Sequence, residues 1–373
     1  MNNPRDLLKA YKELTAPAAL ATVVKTQGSS YRRAGARLLI REDRTTVGMI
    51  SGGCLEHDVV EKALKIMKSG RPELAVFDMT GTDDEVWGYG QGCNGVISLL
   101  IEPLDSPRIP RHLQFLDRCL ATRMSGVLAS IFRVDGEVKA EIGTHLMLGA
   151  NDELEETIRH PVVTSAVAEA ARSVLSKSAS VTKEFKFTDG VVEAFLELIH
   201  PPVHLVIVGG GQDSLPVARI ADELGWNLTI VDHRPAYADK SRFPETAQVL
   251  LARPEELEKT IPCDNHTAVL IMTHNFEHDI ALVRHFLAQN TLLYIGLLGP
   301  KQRRDLLLRR LHDGGTSVSP TQLARLYNPV GLDIGSDDPA EIALAAIAEI
   351  QAVLAHRTGG SMRNREGPLH PSV

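Results

Sequence analysis

Residues 203–234 read Val-His-Leu-Val-Ile-Val-Gly-Gly-Gly-Gln-Asp-Ser-Leu-Pro-Val-Ala-Arg-Ile-Ala-Asp-Glu-Leu-Gly-Trp-Asn-Leu-Thr-Ile-Val-Asp-His-Arg. An apolar run at 205–208 stops at Gly209, Gly210 and Gly211. Leu215, Ala218, Ile220, Ala221 and Leu224 then fall on one helical side, and Gly225 ends the segment. A second apolar run at 228–231 closes with Asp232. This is a strand, a glycine-rich turn, a helix and a second strand, a β-α-β unit. Gly209 permits a tight bend, and Gly211 lets backbone approach a phosphate at the N-terminus of the new helix. Asp232 stands where an acid accepts from a ribose diol. Ser214 occupies the place of the third fingerprint glycine. The turn therefore fits a dinucleotide, another phosphorylated ligand, or a unit whose glycines bind nothing.

Downstream, apolar runs at 248–251, 268–272 and 292–295 alternate with helical patterns, the clearest at 276–287 and 301–311. The alternation predicts a doubly wound parallel sheet, whose ligands sit beyond the carboxyl ends of the strands. Three loops reach that edge: 209–212 with Gln212, Thr273-His274-Asn275, and 296–301 with Gly299. His274 is a candidate for proton transfer, with a structural histidine as the alternative. Pro339 starts a last helix reaching Ala355. Pro201 and Pro202 interrupt regular structure and mark a boundary. The expected organisation is an α+β domain over 1–200, a Rossmann-like domain over 203–330, and a C-terminal helix and tail over 331–373.

The first half predicts strands at 18–24, 38–40, 45–50, 74–79, 96–101, 126–133 and 191–198, with a helix at 162–175. Two loops carry chemistry. In one, Ser29 and Ser30 supply hydroxyls, and Arg37 follows with a guanidinium. In the other, Gly52 and Gly53 precede Cys54, and a helix is expected from Cys54 or Leu55. A cysteine at such a helix start gains thiolate character. A small residue filling a tight turn is the alternative. Cys93 stands in a second glycine loop, between Gly92 and Asn94.

The chain has 373 residues, enough for two domains, and 43% hydrophobic with 23% charged residues suits a globular protein. A net charge of -7 argues against general affinity for nucleic acid. The first residues lack the layout of a signal peptide, and no apolar run approaches a membrane span. Four cysteines, at 54, 93, 119 and 263, show no framework spacing. The cytoplasm, with free thiols, is the expected location. The 14 histidines show no metal-ligand spacing, so no metal site is expected.

Taken together, Gln27-Gly28-Ser29-Ser30, Gly35-Ala36-Arg37, Ser51-Gly52-Gly53-Cys54-Leu55-Glu56 and Gly92-Cys93-Asn94-Gly95 resemble the amino-terminal domain of the XdhC/CoxI family, the xanthine dehydrogenase accessory factors. The second half is similar to that family's Rossmann domain at 209–213, 231–235, 272–275, 294–299 and 331–335. The resemblance implies a maturation factor. Such proteins bind molybdenum cofactor, a phosphorylated pterin dithiolene (molybdopterin), assist its sulfuration, and help insert it into xanthine dehydrogenase or a related molybdenum hydroxylase. A cysteine desulfurase and a second copy of the chain, as a homodimer, are further expected partners. Cys54, with Cys93 as its rival, and His274 are the candidates for the chemistry. The expected cofactor contacts are Ser29, Ser30, Arg37, Gly52, Gly53, Gly209, Gly211, Gln212, Asp232, Thr273, His274 and Gly299. Two alternatives stay open: an NAD(P)-dependent oxidoreductase working through the Rossmann half, and a nucleotide-sensing module without chemistry.

Overall fold

The computed structural model describes residues 4–28, 31–79, 95–105, 109–259, 261–364 and 366. They form two compact units that meet in sequence between Pro201 and Pro202.

The first unit runs α1 (Pro4–Lys12), β1 (Ala18–Gly28), β2 (Arg37–Arg41), β3 (Thr46–Gly48), α2 (Glu56–Ser69), β4 (Glu73–Asp78), β5 (Gly95–Leu104), α3 (Arg111–Thr122), β6 (Gly126–Gly136), β7 (His145–Gly149), β8 (Leu154–Glu156), α4 (Pro161–Lys177), β9 (Val181–Phe187) and β10 (Gly190–Ile199). Two antiparallel sheets result, ordered β3-β2-β1-β5-β4 and β8-β7-β6-β10-β9. Residues 18–24 of β1 are all buried, because the strand is covered on both faces. One face packs under α2, through Ala19, Ala21, Val23, Val59 and Ala63. The other meets the second sheet through an apolar contact of Val24, Leu100, Phe132 and Phe195. On the second sheet, α4 lays Val163, Val167, Ala171 and Val174 over Val127, Ala129, Leu146 and Ala194. The sequence pattern missed β7, β8 and β9, which are short or carry charged residues at alternate positions.

Ion pairs also link the two sheets. Lys25 Nζ lies 2.6 Å from Glu193, and Arg37 forms a two-pronged pair with Glu197 whose Nη1–Oε1 distance is 3.0 Å. Arg37 Nη1 also donates to the Gly35 carbonyl at 3.1 Å. Gly35 has φ +94°, and a Cβ there would lie 2.9 Å from Glu197 Oε1. The Gly35-Ala36-Arg37 motif is thus the local device that seats this ion pair.

The second unit runs β11 (His204–Val208), α5 (Ser214–Glu223), β12 (Asn227–Asp232), β13 (Gln248–Leu251), β14 (Thr267–Ile271), α6 (Phe276–Ala288), β15 (Tyr294–Leu297), α7 (Lys301–Asp313), α8 (Pro320–Leu323), β16 (Leu326–Tyr327) and α9 (Pro339–Leu354). Its six strands pair in parallel in the order β13-β12-β11-β14-β15-β16. The chain winds outward from β11 to β13, then crosses to β14 and winds the other way. The switch point lies between β11 and β14, as in a Rossmann sheet. Helices α5 and α9 cover one face, with Val217, Ala218, Ala343, Ala346 and Ile350 in one cluster. Helices α6 and α7 cover the other, through Leu282, Val283, Phe286, Leu307 and Leu311. The C-terminal helix is therefore part of this unit's core. Residues 254–259 form a 3-10 helix. The strand expected at 292–295 is found at Tyr294–Leu297, because the Leu292 N–H bonds back to Gln289 O at 3.3 Å and holds that residue in the turn.

The side chains of Arg37 and Glu197 are only 9% and 16% exposed. Losing one partner strands a desolvated charge, which costs about 3 kcal/mol or more. Arg37→Ala should lower the stability of the first unit by that order in denaturant titration. Arg37→Met with Glu197→Met should recover most of it. Equal midpoints for Arg37→Ala and the parent chain would show that the pair is not structural.

Candidate functional site

At the switch point, the ends of β11, β12 and β14 surround a cavity of about 190 Å³ lined by Gly209, Asp232, Arg234, Thr273, His274 and His278, among others. Gly209 has φ +118°, and a Cβ on it would lie 2.5 Å from the carbonyl oxygen of Met272. At Gly210 a Cβ would lie 2.4 Å from Tyr237 O. These two glycines admit the chain's own backbone. Gly211 meets side chains and no backbone: its Cβ would find Asp213 Oδ1 at 3.3 Å and His274 Nε2 at 3.8 Å. Helix α5 begins at Ser214, whose hydroxyl donates to Gly211 O at 2.8 Å. Asp213 gives α5 no side-chain cap. In the first turn of α5 the Leu215 N–H already bonds to Gln212 O at 3.3 Å and Pro216 has no N–H, so the Ser214 N–H and the positive pole of the helix are what this turn offers an anion. Gln212 is exposed beside it.

Asp232 is 4% exposed and fully engaged. Its Oδ2 accepts from Gly210 N–H and Arg234 Nη2, both at 2.8 Å. Its Oδ1 accepts from Arg234 N–H at 2.9 Å and Arg234 Nε at 3.0 Å. Four donors fill the capacity of a carboxylate. A ribose diol could bind here only by displacing Arg234, and nothing in the geometry favours the nicotinamide alternative. The Arg234 guanidinium also lies 3.9 Å from the centre of the Tyr237 ring. Arg242 Nη1 donates to Gly210 O at 2.6 Å. Tyr237 and Arg242 thus clamp the glycine turn. Sequence reading passed over both, since they sit in an irregular segment with no motif spacing.

The third loop wall is built by Thr273, His274 and Asn275. Asn275 caps α6 by accepting from Glu277 and His278 N–H at 3.0 and 3.2 Å. The Thr273 hydroxyl bonds to Asp279 and to Asn275 O. Asp279 is fully buried and pairs with Arg303 at 2.6 Å. Burial raises its pKa, opposed by the Thr273 hydroxyl and by Arg303. Thr273 therefore serves the loop's internal framework. The His274 side chain is 66% exposed, with Nε2 3.6 Å from Asp213. Gly299, at φ +122°, makes room for Arg303, and its carbonyl accepts from Asn328 at 2.8 Å.

The second candidate centre lies in the first unit. Helix α2 begins at Glu56, one or two residues later than expected. Ser51 organises the turn before it: its hydroxyl accepts from Gly53 and Leu55 N–H, each at 3.2 Å, and donates to Glu56. Glu56 Oε1 also takes the Ser51 N–H at 3.0 Å. The Glu56 carboxylate is turned back and held. Cys54 is half-buried, with no disulfide, against the cluster under α2. Gly53 has φ +109° and open space where a Cβ would stand. A Cβ on Gly52 would touch the exposed Tyr31 ring at 3.8 Å. Arg37, expected as a cofactor contact, is spent on Glu197. Ser29, Ser30 and Cys93 lie outside the described residues.

Burial raises the Asp232 pKa, but the Arg234 side chain and the N–H groups of Arg234 and Gly210 outweigh it and bring it down to about 2. A depressed carboxyl pKa contributes stability that is present above the unfolded value and is lost as pH falls toward the folded one. From an ordinary value of 3.8, the contribution amounts to about 2 kcal/mol. Asp232→Asn should destabilise the second unit by that order at pH 7. The gap should shrink as pH falls from about 4 to 2. A gap independent of pH in denaturant titrations would contradict the assignment.

Residues 205–350 match the family model described as the XdhC Rossmann domain. Residues 13–78 and 119–186 match that of the XdhC and CoxI family. A Bacillus subtilis (strain 168) protein, described as a probable component of xanthine dehydrogenase, is 31% identical over 350 residues, covering 94% of this chain and 97% of its own. The molybdenum cofactor insertion chaperone PaoD of Escherichia coli (strain K12) is 25% identical over 349 residues, covering 91% of this chain and 84% of its own. A solved structure, described as a xanthine dehydrogenase from Bacillus halodurans, superposes with a TM-score of 0.76 at 29% identity, over 96% of this chain and 98% of that one. The chain belongs to the XdhC and CoxI family.

Proposed function

We propose that the chain binds molybdenum cofactor as cargo, assists its sulfuration, and delivers it to xanthine dehydrogenase or a related molybdenum hydroxylase. The relative named as a molybdenum cofactor insertion chaperone supports the class of function. The observation that carries the reading is Cys54. Its thiol is half-buried and unpaired, on a glycine turn at the start of α2. The nearby Glu56 carboxylate is held by Ser51 through both of its oxygens, which fixes the turn that carries the thiol.

The roles divide as follows. Cys54 contacts the sulfur chemistry of the cargo, and Gly52 and Gly53 keep the approach clear. Independently of that centre, the start of α5 in the second unit, beside Gly211 and Gln212, takes a phosphorylated ligand, with the exposed His274 at its rim. The cavity of about 190 Å³ is smaller than the roughly 300–1,000 Å³ of whole-ligand sites, so it suits one polar end of a ligand. A cysteine desulfurase is the proposed sulfur source and the cytoplasm the proposed location. Among the described residues, no helix is long and apolar enough to cross a membrane.

Cys54→Ser should lower the yield of sulfurated, active client hydroxylase at least tenfold while leaving far-ultraviolet circular dichroism unaltered. If Cys54→Ser matures the client as the parent chain does, and Cys93→Ser does not, the sulfur role belongs to Cys93.

Gly211→Val puts a branched side chain where a phosphate must approach. It should weaken retention of a phosphorylated ligand by the second unit, measured by phosphorus per chain after gel filtration. Undiminished retention by the folded variant would remove the phosphate assignment.

A further inference from the structure

Three residues far apart in sequence meet inside the first unit. Glu102 comes from β5, His112 from α3 and His145 from β7. They are 6%, 7% and 4% exposed. One ligand atom from each lies within 4.8 Å of the others. The two imidazoles stack at 4.1 Å between centroids, tilted by 31°. All three line a cavity of about 630 Å³, together with Arg111, Lys139 and Arg159 among others.

Hydrogen bonding accounts for two of the three. His145 Nε2 lies 2.8 Å from Glu102 Oε1, and its Nδ1 lies 3.0 Å from Ser130 Oγ. His112 Nε2 is buried and meets no hydrogen-bond partner. Buried polar atoms are almost always satisfied, so such a nitrogen calls for a partner the protein chain does not supply. A neutral imidazole is the form that ligates metal.

We propose that Glu102, His112 and His145 form a site for one divalent transition-metal ion, zinc by preference, with a coordination position open to the cavity. Two imidazoles and a carboxylate are a ligand set for zinc or a neighbouring first-row ion, whereas magnesium and calcium take oxygen alone. Three protein ligands leave a fourth zinc position vacant for water or a small ligand. Ligand atoms of a tetrahedral zinc stand about 3.3 Å apart, from Zn–N distances of about 2.0–2.1 Å. The present separations, 2.8 Å for one pair and at most 4.8 Å for any, bracket that value. With Nε2 on the metal, the ring hydrogen of His145 stands on Nδ1. That nitrogen then donates to Ser130 Oγ, the usual second partner of a ligating histidine. The charge of Arg37 reaches Glu102, but Arg37 is already paired with Glu197. The inference stands apart from the molybdenum reading, since it uses none of the same residues.

The test is zinc sulfate titrated calorimetrically into the chelator-treated full chain, before and after thiol alkylation, with cobalt(II) absorption as a second readout. One zinc per chain should bind with or without alkylation, and cobalt should show no thiolate charge-transfer band. His112→Gln and His145→Gln should weaken binding at least 100-fold, and Ser130→Ala by roughly 10–100-fold. Unchanged affinity in a folded His112→Gln chain, binding abolished by alkylation, or no binding to the parent chain would each overturn the site. If both histidine variants misfold by circular dichroism, Ser130→Ala and the cobalt spectrum decide. A thiolate band, or full affinity in Ser130→Ala, counts against it.

Discussion

The tightest constraint on the second unit is the approach of Gly209 to Met272. With φ at +118° and the Met272 carbonyl 2.5 Å from where a Cβ would be, the position admits glycine alone. That contact lets the ends of β11 and β14 converge at the switch point. It also aims the turn so that α5 starts beside the cavity. Asp232 then reaches back from β12 to the Gly210 N–H at 2.8 Å, and Arg234 closes over the carboxylate. The turn and the second strand are thus one hydrogen-bonded assembly, packed against Met272, whose N–H bonds to Val208 O at 2.8 Å. A binding site built on it is pre-organised, because its polar groups are fixed by protein partners.

The same logic governs the first unit, with charge in place of close approach. Its two sheets meet through the cluster of Val24, Leu100, Phe132 and Phe195 and through a larger one in which Leu20, Leu39 and Leu104 join Leu128, Met147 and Ile199, and the Arg37–Glu197 and Lys25–Glu193 pairs and the buried Glu102–His145 contact also bridge them. Pairs of this kind fix register and orientation more than they add net stability, since desolvation offsets much of the attraction. They also explain why residues that look like ligand contacts in a motif serve the fold. Arg37 gives three of its hydrogen bonds to Glu197 and the Gly35 carbonyl, whereas Cys54, on a turn held by Ser51, keeps its thiol free of any disulfide.

The parallel sheet was legible because its signals are local: apolar runs, glycines at strand ends, and a helical period in between. The site was legible only as far as backbone position decides it. Gly209, Asp232 and His274 stand at the expected edge, but the partners of Asp232 depend on which way Arg234 folds, and no periodicity encodes that. The Ser51–Glu56 lock was hidden because its spacing departs from the three-residue capping box. Glu102, His112 and His145 were invisible for a different reason. They lie on two strands and a helix, 10 and 33 residues apart in sequence, and only the packing of α3 and β7 against β5 brings them together. Spacing rules find metal ligands that share a loop or a helix face, and these share neither.

A maturation factor must hold its cargo between synthesis and delivery, so the quantity at issue is what stays bound. Non-denaturing mass spectrometry of the full chain, mixed with molybdenum cofactor and passed through gel filtration, measures this directly. The account predicts one pterin-bound molybdenum per chain. Recovery of the chain without molybdenum, when a separate portion of the same cofactor activates a client hydroxylase, would contradict it.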